Sequence, residues 1–295
     1  MYIDSFKVFC DLVETESFSK AAVKNGITQS AVSQQVRNLE VRFGVTLVER
    51  GRRQVSLTPE GTAFLDACQK IVIVWENFEN QLGVLKNETS GEVIVATTLS
   101  LGLYALPKHV QALALTHPEV SVKIRYASTA EVFDLVESGR ADAGIVAFPV
   151  KRKDVIEDVF GQDELCIVTA PGHPLATAGT APLSALAGLS FASFHSDSPT
   201  RKFIDKALRD GDAKVVQYGE FESVETIKRV VQIENVVSIV PADSIRAEVE
   251  AKTLAKVGVS GVEMKRPLSV IVSRVRPRPP GLKELLETLK QPLKA

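Results

Sequence analysis

The segment from Ser19 to Phe43 constrains the fold of this chain most. It reads SKAAVKNGITQSAVSQQVRNLEVRF, which predicts two short helices joined by a turn at Gly26. In the second helix, apolar residues recur at helical spacing and are predicted to face inward, at Val32, Val36, Leu39 and Phe43. The opposite face carries hydroxyl, amide and guanidinium groups instead of Glu/Lys pairs, at Gln29, Ser30, Ser33, Gln34 and Arg37. Such groups read base edges in the DNA major groove, although on an isolated helix a solvated face would be the better explanation.

A short basic hairpin is predicted directly behind these helices. The segment VTLVERGRRQVSLTPEG alternates apolar and polar residues around Gly51, as a two-stranded ribbon does. From Lys20 to Arg53 seven Lys/Arg stand against two acids, a net charge of +5 in a chain whose total is -1. The candidates for contacts with the DNA backbone are the arginines at the tip, Arg50, Arg52 and Arg53. Their position beside two helices favours a winged helix-turn-helix over an exposed loop.

A long helix is predicted to begin at Thr58-Pro59-Glu60. A capping hydroxyl there precedes a proline at the first helical position and an acid near the positive end of the helix dipole. Apolar residues then recur at alternating steps of four and three, which makes a heptad seam over about three repeats. A seam this regular favours a dimer-forming linker helix over a helix packed on its own domain. The seam residues are Phe64, Cys68, Ile71, Trp75, Phe78, Leu82 and Leu85.

From Glu92 onward, strand patterns alternate with helix patterns, which predicts an α/β region with parallel sheets covered by helices. Strands are predicted at 92–97, 121–127, 142–148, 164–170, 189–194, 215–221, 236–240 and 268–274, and helices at 101–116, 130–138, 199–209, 223–233 and 281–291. Ligands in such folds collect beyond the carboxyl ends of the strands. Hydroxyl groups occur at such strand ends in 97–100, 128–129 and 193–200, where they favour binding of a small anion or serve merely as helix caps.

Composition and motif spacing argue against several other classes of protein. A chain of 295 residues is long for one core and suggests about two domains. The three cysteines form no C-x-x-C pair and the four histidines no H-x-x-x-H spacing, so we expect no disulfide framework, metal site or cofactor. Nucleotide-binding and nucleophile-elbow motifs are missing as well, so we expect no enzyme. Charges scattered through MYIDSFKVFCDLVETESFSK argue against a signal peptide or membrane span, so we expect a cytoplasmic protein.

The N-terminal residues resemble the signature of the LysR-type transcriptional regulators in both order and spacing. The matching runs are Phe18–Ala22, Thr28–Glu40, Phe43–Gly44 and Leu57–Gly61. Less specific matches follow in the later half, at Leu106-Pro107, His117-Pro118, 139–145 and 237–241. The resemblance therefore covers essentially the whole chain.

This resemblance implies three parts: a winged helix-turn-helix DNA-binding domain at 1–58, a linker and dimerisation helix at 59–90, and an effector-binding domain at 91–295. The last part is expected to resemble a periplasmic binding protein, with lobe I at 92–161 and 268–295 and lobe II at 162–267. The inducer of such regulators lies between the lobes. The matching positions here are Thr98, Ser100, Ser128, Thr129, Phe148, Ser198 and Thr200.

The leading interpretation is a sequence-specific DNA-binding transcriptional regulator controlled by a small-molecule effector, with a small organic anion as the first candidate. The expected partners are double-stranded promoter DNA, the effector, further copies of the chain in a homodimer or homotetramer, and RNA polymerase if the regulator is an activator. No membrane partner is expected. Two alternatives stay open, a cytoplasmic small-molecule-binding protein and an enzyme on a similar two-lobe scaffold. The N-terminal helices count against the first alternative, and the missing catalytic motifs count against the second.

Overall fold

The computed structural model of the protein describes residues 2–49, 55–85, 91–276 and 278–291. The chain divides into two compact units, Met1–Lys86 and Asn87–Ala295. None of the helices in the described segments has the length and apolar character that a membrane span requires. Within the same segments, no cluster of three or more His, Cys, Asp or Glu side chains is arranged to hold a metal ion.

The N-terminal unit consists, in its described part, of helices and one short hairpin. In chain order they are α1 (Tyr2–Thr15), α2 (Phe18–Lys24), α3 (Gln29–Phe43), β1 (Val48–Glu49), β2 (Ser56–Leu57) and α4 (Pro59–Leu85). Their common core includes Phe9, Leu12, Val32, Val36 and Leu39. The inward prediction for Phe43 is wrong, because this side chain is 47% exposed. Phe43 is the last residue of α3 and lies at the margin of the core, where its ring rests on Phe64 at 5.1 Å between centroids.

Local hydrogen bonds fix both ends of α3 and the hairpin behind it. Thr28 caps α3, since its Oγ1 accepts the N–H of Ala31 at 3.2 Å. Gly44 ends the helix at a φ of 66°, a conformation that glycine adopts without a Cβ clash. The Glu40 carboxylate then accepts the backbone N–H of Leu47 at 3.0 Å and of Val48 at 3.4 Å. The first hairpin strand is therefore hydrogen-bonded directly to α3.

The start of α4 is held against the same strand. Thr58 Oγ1 donates to the carbonyl of Thr46 at 2.6 Å and accepts the N–H of Gly61 at 2.9 Å. A Cβ on Gly61 would lie 2.0 Å from the carbonyl oxygen of Leu47, so only glycine permits this approach. The first turn of α4 is thus fixed to the hairpin.

The C-terminal unit is a two-lobe α/β structure, as predicted. Its elements are β3 (Gly91–Thr97), α5 (Leu99–Tyr104), α6 (Leu106–Thr116), β4 (Val120–Tyr126), α7 (Thr129–Ser138), β5 (Ala143–Ala147), β6 (Val155–Thr169), β7 (Thr180–Pro182), β8 (Ser190–Phe194), α8 (Pro199–Asp210), β9 (Val216–Phe221), α9 (Val224–Ile233), β10 (Ser238–Pro241), α10 (Arg246–Glu250), β11 (Ala255–Ser260), β12 (Lys265–Ser273) and α11 (Pro280–Lys290). Short 3-10 helices lie at Pro174–Thr177, Leu183–Leu186 and Ala242–Ile245.

The strands do not form the purely parallel sheets that the alternating pattern predicted. β3 pairs in parallel with β4 and β5, but β12 runs antiparallel to both β5 and β6. β6 is also antiparallel to β10 and β11. The reason is topological: β6 runs from lobe I into lobe II and β12 returns, so two neighbouring strands have opposite directions. The sheet order β4-β3-β5-β12-β6-β11-β7 is therefore mixed.

Other predicted elements also needed correction. The single helix expected at 101–116 is two helices that meet at Ala105, because Pro107 lacks the N–H that a continuous helix would need there. The pattern did not predict β7, β11, α10 or the first half of β6, which are short or irregular in hydrophobic periodicity. Each of these elements is placed by pairing or packing with a distant segment.

Each lobe has its own buried core. Lobe I buries Val95, Leu101 and Ile145 among others, whereas lobe II buries Phe191 and Ile227 in a separate cluster. β6 and β12 pass between the two lobes side by side, with Gly161 opposite Leu268 and Gln162 opposite Pro267. The register shifts between Leu268 and Ser269 at this crossing. The lobes are thus joined by two paired strands with a local irregularity.

Candidate functional sites

The outer face of α3 presents polar side chains to solvent in the N-terminal unit. Gln29, Ser30, Gln34 and Arg37 are exposed, while Ser33 is half-buried. The Gln34 amide donates to Asn38 Oδ1 at 2.8 Å, and the Ser30 hydroxyl lies 2.9 Å from that of Thr28. Asn38 is an exposed amide of the same face and was not among the predicted base-reading residues, although it lies four residues after Gln34 on the same helix. The face therefore offers donors and acceptors on a helix anchored by a buried core.

The positive charge around α3 is smaller than the residue count implies. Lys24 forms ion pairs with Asp11 at 2.5 Å and Glu14 at 2.6 Å, both on α1. Burial opposes its charge, but the hydrogen bonds to these carboxylates raise the pKa of Lys24. Its charge is therefore balanced within the unit. The predicted backbone-binding arginines Arg50, Arg52 and Arg53 lie outside the described residues.

The heptad seam of α4 divides into two parts. Phe64 packs against Phe6 and Phe9 of α1, and Cys68 is 1% exposed in the same core. The assignment of Cys68 to a partner subunit is wrong, because its own chain already buries it. Phe64 is half-buried, and its place in a dimer seam stays a prediction. Burial raises the pKa of the Cys68 thiol to about 12, as it does for Cys10 and Cys166. These thiols are held in the unreactive protonated form.

The second part of the seam is open. Ile71, Phe78 and Leu82 are 41%, 46% and 38% exposed, and Trp75 is half-buried beside Phe78. These residues, Leu82 excepted, line a groove of about 540 Å³ together with Ile3, Lys70 and Val74. For Leu85 the structure describes the backbone only. The exposed side of this helix of 27 residues therefore carries an apolar groove.

In lobe I, several predicted effector residues lie along one sheet edge. Thr98 follows β3, Ser128 follows β4 and Phe148 follows β5, and these three strands are parallel neighbours. Their carboxyl ends therefore meet at one edge. Thr98 precedes α5 without a side-chain capping bond, whereas Ser100 lies in the first turn of that helix. The structure thus brings the lobe I candidates to a common edge.

The positive end of the α7 helix dipole is already balanced by side chains at its own N-terminus. Ser128 and Glu131 form a capping box, in which Ser128 Oγ accepts the N–H of Glu131 and the Glu131 carboxylate accepts the N–H of Ser128 at 2.9 Å. These hydrogen bonds lower the pKa of Glu131. The carboxylate therefore occupies the positive end of α7. Ser128 and Thr129, the first residue of α7, consequently offer less to an added anion than Thr98 does.

In lobe II, the predicted residue Thr200 belongs to a buried polar cluster. Thr200 is 6% exposed, and its Oγ1 accepts a hydrogen bond from Arg266 Nη1 at 3.3 Å. Arg266 is 3% exposed and pairs with Asp163 at 2.7 Å through Nη2. Burial lowers the pKa of Arg266, and the Asp163 charge opposes that shift. Because guanidinium is only a donor, the Thr200 oxygen is the acceptor and its own proton remains available for donation.

Phe148 brings the two lobes into contact beside this cluster. Its ring stacks on Phe203 of α8 with centroids 4.8 Å apart and an interplanar angle of 29°. Its φ of 51° is uncommon for a residue other than glycine. Thr200 lies one helical turn before Phe203, and Ser198 directly precedes α8. Phe148 therefore meets the start of α8, next to both predicted lobe II residues. Asp163, Phe203 and Arg266 were missed, because no sequence signal marked them as neighbours of Thr200.

Comparison with known proteins decides which family has this combination of units. A family model for the bacterial regulatory helix-turn-helix protein, lysR family, matches residues 3–62. A model for the LysR substrate binding domain matches residues 86–294. The protein belongs to the LysR family of transcriptional regulators. As a LysR-type regulator it carries a helix-turn-helix domain that binds DNA and a substrate-binding domain that binds a small-molecule effector.

Individual LysR-type relatives resemble the chain over nearly its whole length. The "Probable RuBisCO transcriptional regulator" of Synechocystis sp. (strain ATCC 27184 / PCC 6803 / Kazusa) is 32% identical over 282 residues, which cover 94% of this chain and 82% of the relative. The structure of CbnR, a LysR family transcriptional regulator, has a TM-score of 0.74 at 20% identity and covers 100% of both chains. Full-length CbnR complexed with its target DNA has a TM-score of 0.73 at 20% identity and covers 98% of this chain and 99% of that one. These matches confirm the predicted fold class, and the family is one of regulators rather than enzymes.

Proposed function

We propose that this regulator acts in the cytoplasm and reads its operator with the outer face of α3. Base contacts come from Gln29, Ser30, Ser33, Gln34 and Arg37, and the sugar-phosphate backbone is bound by Arg50, Arg52 and Arg53. The observation that carries the proposal is the row of exposed amide, hydroxyl and guanidinium groups on a helix whose other face is fixed in the core. Side chains on such a helix enter the major groove without loss of the fold.

Binding of labelled duplexes measured by fluorescence anisotropy tests this division of roles. The duplexes are the promoter region beside the protein's own gene and a scrambled sequence, each at several salt concentrations. Gln34→Ala or Arg37→Ala should reduce the preference for the promoter by about tenfold, whereas Arg52→Ala or Arg53→Ala should weaken binding to both duplexes and lower the salt dependence. Arg209→Ala, an exposed arginine of the C-terminal unit, is the charge-matched control. Equal losses on both duplexes for all four variants would refute the assignment.

We infer that the effector is a small organic anion held between the lobes by Thr98, Ser100, Ser128, Thr129, Phe148, Ser198 and Thr200. The support is the donor role that Arg266 imposes on Thr200 and the first turn of α5, where Thr98 makes no capping bond. Hydroxyl donors at both positions favour a ligand that brings oxygen acceptors. The Glu131 carboxylate at the start of α7 directs such a ligand toward α5 and α8.

A thermal-shift screen of metabolites identifies the ligand class. Carboxylates and similar anions should raise the melting temperature, and uniformly neutral hits would contradict the anion proposal. With a hit in hand, Thr98→Val and Thr200→Val should each weaken its binding at least tenfold and leave DNA affinity without the ligand nearly unchanged. Thr177→Val, at an exposed position of lobe II, controls for the substitution itself.

We also propose that two subunits pair through the open part of the α4 seam, Ile71, Trp75, Phe78, Leu82 and Leu85. Burial of apolar surface in the groove would stabilise this pairing. The two-fold arrangement presents two copies of α3 to two half-sites. On this basis 1–58 is the DNA-binding domain, 59–90 the dimerising linker and 91–295 the effector-binding domain.

A further inference from the structure

The buried amine of Lys228 lies where lobe I meets lobe II, and Lys228 is not among the residues assigned to either ligand. Lys228, on α9, is 5% exposed. Its Nζ lies 2.8 Å from Glu248, 2.9 Å from Glu225 and 2.9 Å from the carbonyl of Ser244, all in lobe II. The fourth partner is the hydroxyl of Tyr104, at 2.8 Å, which belongs to α5 of lobe I. One side chain of lobe I thus completes a polar cluster of lobe II.

Tyr104 is held there by three kinds of contact. Its hydroxyl donates to the Glu225 carboxylate and accepts from Lys228. Its ring lies under the Lys228 amine, 5.1 Å from the centroid, and packs against the core of lobe II. Burial alone would lower the pKa of Lys228, but hydrogen bonds to Glu248, Tyr104 and Glu225 raise it above its ordinary value. The amine is therefore charged, and its bonds have the strength of charge-assisted hydrogen bonds.

The position of Tyr104 on α5 connects this cluster to the other end of the same helix. Tyr104 is the last residue of α5, and Thr98 and Ser100 lie at its start. A helix of six residues is about 9 Å long, so its two ends lie close together. The break at Ala105 separates α5 from α6. A displacement of α5 at Thr98 consequently displaces Tyr104 as well, because no longer helix absorbs the movement.

We propose that Tyr104 and Lys228 form a latch that holds the two lobes together and sets how often the cleft between them opens. The lobes open in the protein without ligand, so the latch itself does not depend on the proposed effector site. Its role in regulation rests on that site. Release of Tyr104 frees α5 from lobe II. Loss of the latch therefore shifts the population toward the open arrangement and exposes the residues between the lobes.

Tyr104→Phe tests the latch with the smallest change. It removes both hydroxyl bonds, keeps the ring, and leaves Lys228 paired with Glu225 and Glu248, so lobe II remains folded. Hydrogen exchange of the full-length protein, without DNA or added ligand, measures the opening. Exchange should become about tenfold faster, equivalent to about 1.4 kcal/mol, at 99–105 and also at 146–150 and 199–204. The last two segments carry the Phe148–Phe203 stack, a second contact between the lobes.

Tyr218→Phe, an exposed tyrosine of lobe II, is the matched control and should leave exchange unchanged. Tyr104→Phe is also compared in a Phe203→Ala background, where the Phe148–Phe203 stack can no longer hold the lobes together. The increase in exchange rate should be larger there. Faster exchange confined to the segments that contact Tyr104 would mean a local role and overturn the latch. Unchanged exchange in both backgrounds would overturn it equally. Neither result bears on DNA binding, which the anisotropy experiment tests separately.

Discussion

Replacing Glu40 should separate the hairpin from α3, because this carboxylate connects them. Glu40→Ala removes acceptors from the backbone N–H groups of Leu47 and Val48, which are 0% and 2% exposed. A hydrogen bond to a charged group contributes about 1.5–3 kcal/mol, and the 3.4 Å bond to Val48 less, so the loss should be about 2–3 kcal/mol. For a unit of this size that lowers the melting temperature by about 10 °C or more. Glu40→Gln keeps a neutral acceptor and should lose about 1 kcal/mol.

The single tryptophan provides the assay. Trp75 lies on α4 of the N-terminal unit, so its fluorescence follows unfolding of that unit alone when urea is added at a fixed protein concentration. Asp66→Ala removes a carboxylate from an exposed i,i+4 ion pair with Lys70 in the same unit and should change stability by no more than about 0.5 kcal/mol. A loss for Glu40→Ala no larger than that for Asp66→Ala would show that the Glu40 carboxylate does not hold the hairpin to α3.

Two further outcomes follow from the structure. Val74→Lys places a charge in the α4 groove at a side chain that is 68% exposed, and should raise the dimer Kd at least about a hundredfold in sedimentation experiments. Val41→Lys, at an 83% exposed valine of α3, should leave the dimer Kd unchanged. If both substitutions changed the Kd equally, the groove would not be the dimer interface. Burial lowers the pKa of His109 below its ordinary 6.5, despite the hydrogen bond to the Thr288 carbonyl. Its neutral form therefore stabilises the fold fully above about pH 6.5, and this contribution is lost as the pH falls through the lower folded-state pKa. His109→Gln should flatten the acid dependence of urea unfolding followed by circular dichroism, and His117→Gln should not; a dependence that persists in His109→Gln would contradict this origin.

Local signals predicted the N-terminal unit well. The Thr28 cap, the turn at Gly26 and the apolar spacing of α3 involve residues within a few positions of one another, so the sequence displays them directly. The α4 seam shows the limit of such signals. Heptad spacing marks an apolar face, but it does not reveal whether α1 of the same chain or a second chain covers Phe64 and Cys68.

The polar clusters of the C-terminal unit lay beyond sequence reading for a different reason. Lysine and arginine are expected at the surface unless they are paired, and their partners here are remote in the chain. Arg266 pairs with Asp163 across 103 positions, and Lys228 meets Tyr104 across 124. Only the folded chain shows that these charges are buried. The hydroxyl groups at the strand ends are visible in the sequence, but only the folded chain shows that a capping box engages Ser128.

The anchored first turn of α4 gives the linker helix a mechanical property. Its 27 residues span about 40 Å, and Thr58 and Gly61 fix one end to the hairpin without room for a side chain between them. Because this end of α4 is fixed, a tilt of the helix and a tilt of the hairpin accompany each other. A swing of about 10° at one end displaces the other by about 7 Å, which is the rise of about two base pairs. Small rearrangements at one end of α4 are thus enough to change which half-site spacing a pair of subunits can span.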